Sequence, residues 1–149
     1  MGAELERSDI RELFESRMRK ARPKFIGDSG DASGMLSAYS VLKGGGIVAM
    51  HADRYAGGRY VNAEFLGSPL RVPLAPYILA AKSGAALVLV VCFKTGYAEY
   101  SMRAIEIPIR KNASAGECAA AAEKFLSELS KALKKHPFQW YNFFDFWGQ

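Results

Sequence analysis

The sequence predicts an α/β fold, a mixed and mostly parallel sheet flanked by helices, and three observations carry that expectation. Strand-like and helix-like segments alternate along the chain. The run from Ala86 to Phe93 is continuously apolar and rich in valine, the composition of a central strand covered on both faces. A Ser114-x-x-Glu117 capping box opens a long amphipathic segment. With 149 residues, 50% hydrophobic and 23% charged, the chain fits one soluble globular domain spanning 1–149, and wholesale disorder is excluded.

The elements follow in order. Ser8-Asp9 precedes Ile10, Leu13, Phe14 and Met18 at helical spacing, and Pro23 ends that helix. The pair Phe25-Ile26 and a loop rich in Gly, Asp and Ser over 27–34 come next. Met35, Leu36, Tyr39 and Leu42 predict a second helix, closed by Gly44-Gly45-Gly46, because glycine takes positive φ just past a helix without a Cβ clash. Ile47 to Ala52 reads as a buried strand, and Tyr60, Val61, Ala63 and Phe65 as its returning partner, ended by Gly67-Ser68-Pro69. Leu74, Ile78, Leu79 and Ala81 form a helical stripe before Gly84. After the valine run, Tyr100 to Ile109 continues as a second long strand with one more polar face. Cys118, Ala122, Phe125, Leu129 and Ala132 fall on one face of the capped helix, which Pro137 stops.

Composition narrows the function classes. The longest apolar run, Ala85 to Phe93, is nine residues, and a spanning helix needs about 20. The start Met-Gly-Ala-Glu-Leu-Glu lacks the apolar core of a signal peptide, and Glu6 disfavours a myristoyl anchor. Cys92 and Cys118 read as buried thiols in a reducing compartment, and without a CxxC or Cys/His cluster no metal site is expected. Twenty Lys and Arg against fifteen Asp and Glu leave a net charge of +5. That balance suits nucleic acid, an anionic membrane or a phosphorylated ligand, and charge alone does not choose.

Four features compete for chemistry. Met50-His51-Ala52-Asp53-Arg54 lies at the carboxyl end of a predicted strand, where ligand sites of open α/β sheets gather. On a strand, His51 and Asp53 share one face and Arg54 takes the other. The alternative is a strand end turning into solvent. Gly44-Gly45-Gly46 lacks the G-x-G-x-x-G order and precedes a strand, so a helix cap is the better reading than a phosphate loop. No G-x-S-x-G elbow accompanies His51 or His136, and His136 at a helix end suits a cap better than a base. Seven of the twelve residues from His136 to Trp147 are aromatic. They can stack bases, enter a membrane interface or pack on the sheet. No Lys or Arg follows Lys135, which counts against nucleic acid.

Taken together, five segments resemble a known family. They are Leu42-Lys43-Gly44-Gly45-Gly46-Ile47-Val48, Asp53-Arg54, Phe65-Leu66-Gly67-Ser68-Pro69, Leu79-Ala80-Ala81-Lys82-Ser83-Gly84-Ala85 and His136-Pro137-Phe138-Gln139-Trp140-Tyr141. In this order, over about 36–147, they are similar to the carboxy-terminal part of the bacterial lipid A late acyltransferases (lauroyl and myristoyl transferases) of the lysophospholipid acyltransferase superfamily. The resemblance implies a glycerolipid-acyltransferase-like fold and transfer of a fatty acyl chain from acyl-carrier protein or acyl-CoA to a lipid or glycolipid hydroxyl. It implies no cofactor, allows peripheral membrane contact, and suggests a place in the cytoplasm or on the cytoplasmic face of the bacterial inner membrane. No nucleic acid partner is expected, because the aromatic and basic clusters are separate. An unpaired sheet edge leaves room for a homo-oligomer.

By the same resemblance Asp53 lies near the active-site cleft, Arg54 holds an anionic group of donor or acceptor, and Gly67 belongs to the substrate-binding set. His51 sits one residue outside the family motif and joins these three through its position alone. The departure concerns the base. The family's signature is His, four residues, then Asp or Glu, with the histidine as general base on the acceptor hydroxyl. Five positions after His51 stands Ala56, and five after His136 stands Tyr141. No catalytic residue is therefore assigned, and the expectation is a partial domain that is catalytically incomplete alone. A non-enzymatic module that binds anionic lipid surfaces is the alternative.

Overall fold

The computed structural model describes residues 32–55 and 57–148. The helix expected before Pro23 and the Phe25-Ile26 pair lie outside the described residues. The elements are α1 (Ala32–Lys43), β1 (Tyr60–Phe65), β2 (Ser68–Pro73), α2 (Ala75–Ser83), β3 (Val88–Gly96), β4 (Glu99–Glu106) and α3 (Ala115–Lys135), followed by a 3-10 turn at Pro137–Gln139.

The sheet expectation is overturned. Among the described residues there are two separate two-stranded sheets, β1 with β2 and β3 with β4, both antiparallel. The reason is local. Phe65 pairs with Ser68 across a two-residue turn in which Leu66 and Gly67 have φ of 54° and 88°. Positive φ at both central residues is the turn whose twist matches a hairpin. Gly67-Ser68-Pro69 therefore opens β2 instead of closing a hairpin. Gly96 likewise pairs with Glu99 around Tyr97-Ala98. A parallel pair would need a crossover of a dozen or more residues, and each strand has already satisfied one edge with its sequence neighbour. Ile47–Ala52 is left without a ladder and forms no strand, and Ile47 is 92% exposed.

The valine run is a strand, as its β-branched content requires, but only one face is covered. Leu89, Val91 and Phe93 are buried while Val88, Val90 and Cys92 are exposed. Cys92 is thus not the buried thiol its neighbours imply, whereas Cys118 is buried. β4 alternates less than expected, with every residue exposed except the half-buried Ile105.

The helices end as their chemistry dictates. The amides of Gly44, Gly45 and Gly46 donate to the carbonyls of Ser40, Leu42 and Val41, closing α1. That helix starts at Ala32, inside the stretch expected to be loop. Pro76 sits in the first turn of α2, where no intrahelical N–H is needed. Gly84 (φ 76°) ends α2 by donating to Ala80 O at 2.8 Å. The capping box of α3 is formed: Ser114 accepts from Glu117 N, and Glu117 accepts from Ser114 N at 2.7 Å.

One contiguous core joins the pieces. α3 sends Cys118, Ala121, Ala122, Phe125, Leu126, Leu129, Ala132 and Leu133 inward. They pack with Phe65, Leu70 and Val72 of the first hairpin, Leu89, Val91 and Phe93 of the second, Tyr77 and Ala81 of α2, Ile107 and Phe146. α3 touches α2, β1 and β3 alike.

Candidate functional site

The open space that matters lies beside this core. A cleft of about 730 Å³ runs between the extended segment 47–53, α2, the first half of β3 and α3. Its lining is chiefly apolar and includes Leu42, Ile47, Met50, Leu79, Val90 and Leu129. The outward valines of β3 are therefore apolar for a reason: Val88 and Val90 line the cleft. Ligand pockets typically enclose about 300–1,000 Å³ with a few placed polar groups among apolar walls. Here the polar groups are His51, Asp53 and Tyr77.

The four residues expected to bind substrate separate. His51 and Asp53 share the cleft. Arg54 turns away from it, donating from Nη2 to Asn142 Oδ1 at 3.2 Å and lying 5.3 Å from the Phe144 ring centroid. Gly67, in the β1–β2 turn, borders a second depression formed with Phe65, Leu66 and the α3 residues Glu123, Leu126 and Lys134.

Tyr77 is the residue that sequence reading passed over. It belongs to the face of α2 that meets the core and is 0% exposed, its ring set edge-on to Phe125 at 6.3 Å. Its hydroxyl has no hydrogen-bond partner. Burial, reinforced by the charge of Asp53, raises the phenol well above its ordinary pKa. It is a donor at any physiological pH. The available signal was a phenol among apolar residues at helical spacing from Leu74 and Ala81, which demands a partner.

The aromatic tail divides in two. Trp140 and Phe146 pack on Phe65, with centroid distances of 5.7 and 6.0 Å. His136 caps α3 by donating its amide to Leu133 O and stacks on Phe93 at 4.1 Å. Gln139 imitates a strand: its Oε1 accepts from Lys94 N at 2.8 Å and its Nε2 donates to Lys94 O at 3.0 Å. Phe138 and Phe143, by contrast, are 93% and 91% exposed.

The profile of the family described as bacterial lipid A biosynthesis acyltransferase matches residues 3–148. The chain belongs to this family. The match extends well before the stretch of about 36–147 over which the resemblance runs. No curated protein and no solved structure matches the chain. For this lipid A acyltransferase domain, no helix among the described residues is long and apolar enough to cross a membrane. Nor do three or more His, Cys, Asp or Glu residues gather there in a metal-holding group.

Proposed function

We propose that this lipid A acyltransferase domain holds the fatty acyl chain during transfer from an acyl thioester to a lipid or sugar hydroxyl, with the 149 residues supplying substrate contacts and no general base. The cleft carries this reading. Its apolar walls suit a hydrocarbon chain, each buried methylene contributing about 0.8 kcal/mol. His51 and Asp53 lie where the polar end of such a ligand needs partners. Neither histidine is followed five positions on by Asp or Glu, so the family's base is not among these residues.

Calorimetric titration with dodecanoyl-CoA tests the first half of the proposal, and micromolar binding is expected. A transfer assay with a glycolipid acceptor tests the second, and negligible turnover is expected. Robust turnover abolished by His51→Ala would instead make His51 the base. Absence of binding would remove the cleft from the account.

One observation favours a second reading. Phe138, Tyr141 and Phe143 are exposed on the tail, which follows Lys134 and Lys135 at the end of α3. Aromatic rings settle at the membrane interface, and each cation near an anionic surface is worth about 1 kcal/mol. This surface would bind anionic bilayers without catalysis. Flotation with vesicles containing or lacking anionic lipid decides it, and equal recovery from both ends that reading.

A further inference from the structure

The geometry points to Tyr77 as the residue that selects what the cleft accepts: its hydroxyl donates a hydrogen bond to the carbonyl oxygen of a neutral acyl ester or thioester. This rests on the cleft being the acyl site. Three features of the site converge on it. Tyr77 is among the residues around a cleft whose walls are mainly aliphatic, and its hydroxyl is buried beside that cleft without a partner. Buried polar groups are almost always hydrogen-bonded, so an orphaned one in a pocket wall asks for a partner from the ligand. The phenol stays protonated, because burial and then Asp53 oppose its ionisation, and it therefore requires an acceptor.

The second feature decides the charge of that acceptor. Asp53 lines the same cleft and acts electrostatically on Tyr77. A carboxylate placed to receive the phenol hydrogen bond meets the repulsion of the Asp53 charge. A neutral carbonyl accepts equally well and meets no such repulsion. The cleft is thereby biased toward esterified acyl groups and against free fatty acid anions.

The third feature is the apolar remainder. With Leu42, Ile47, Leu79, Val90 and Leu129 also lining the cleft, the phenol is the neutral donor among its few polar groups. A site built to hydrogen-bond one group discriminates strongly against an analogue that lacks it, because its own polar atom is then left unpaired.

Three probes of equal chain length test this on the full chain: S-dodecanoyl-N-acetylcysteamine, the matching S-dodecyl thioether without the carbonyl, and dodecanoate. The wild-type protein is expected to bind the thioester about tenfold more tightly than the thioether, a ratio that corresponds to one good hydrogen bond. Tyr77→Phe should bind both at the thioether level while melting no lower than wild type, since it deletes an unpaired hydroxyl. Asp53→Asn, a second and independent variant, should raise dodecanoate affinity several-fold. Binding of all probes with no thioester preference, or a preference that survives Tyr77→Phe, overturns the role of Tyr77. Failure of every probe to bind overturns the acyl-site reading itself.

Discussion

Two carboxylates on α3 show how single residues set the response to acid. Glu117 is held down to a pKa of about 2, first by its hydrogen bonds with Arg110 and then by those with Ser114. Glu128 is likewise held at about 2 by Lys124 and Lys131, at 2.7 and 2.8 Å. Both folded-state values lie below the ordinary 4.5. The stability they contribute is therefore complete above about pH 4.5 and is lost as pH falls toward 2. Urea unfolding followed by far-UV circular dichroism from pH 5 to pH 2 is expected to show that decline. Glu117→Gln retains a capping-box side chain but no charge, so it should flatten the decline while weakening the neutral-pH protein only modestly. An unchanged acid profile would mean that these pairs add nothing to stability. The capping box was legible in the sequence, since Ser and Glu three apart before an apolar stripe have one good arrangement. Tyr77 was not, because a spacing pattern reports which face is apolar and says nothing about an unpaired hydroxyl within it.

At the scale of elements, α1, α2, α3 and the strands β1, β3 and β4 were legible, whereas β2 was hidden behind a Gly-Ser-Pro stretch that reads as a stop, and what misled was pairing. Ile47–Ala52 has strand composition, yet composition cannot say whether an apolar run finds a ladder. The outcome was decided by two short turns. Leu66 is the informative position, because a leucine at φ 54° occupies the left-handed region at a cost of about 1–2 kcal/mol. The β1–β2 hairpin tolerates this strain to keep Phe65 and Leu70 in the core, at 1% and 2% exposure. Leu66→Asn creates Asn-Gly, the preferred pair for a turn with two positive φ angles. Thermal melting should show stabilisation of about 1 kcal/mol, against a small loss from the exposed leucine side chain. A lower melting temperature would mean that Leu66 contributes more by contact than it costs by conformation. The same element scale explains His51 and Asp53. Their sharing of one site was readable from alternation, although the segment that presents them is not a strand, and Arg54 leaves because Asn142 and Phe144 hold it.

The whole molecule depends on α3 more than on either sheet. An isolated two-stranded hairpin is marginal in water, and here two of them bury their apolar faces in one cluster completed by the inner face of a single helix. Each hairpin's stability is thus conditional on α3, and through α3 on the other hairpin. Leu126, 2% exposed and part of that cluster, probes this coupling. Leu126→Ala should cost about 2–5 kcal/mol as a cavity-forming change. Because the core is shared, the loss should spread across both hairpins. Amide hydrogen exchange read at Val72 in β2 and Val91 in β3 distinguishes the cases. Protection at both positions should fall by the same free energy if the core unfolds as one unit. A fall at Val72 with Val91 unchanged would show two cores that merely adjoin, and the cleft wall formed by β3 would then be independent of the hairpin that carries Gly67.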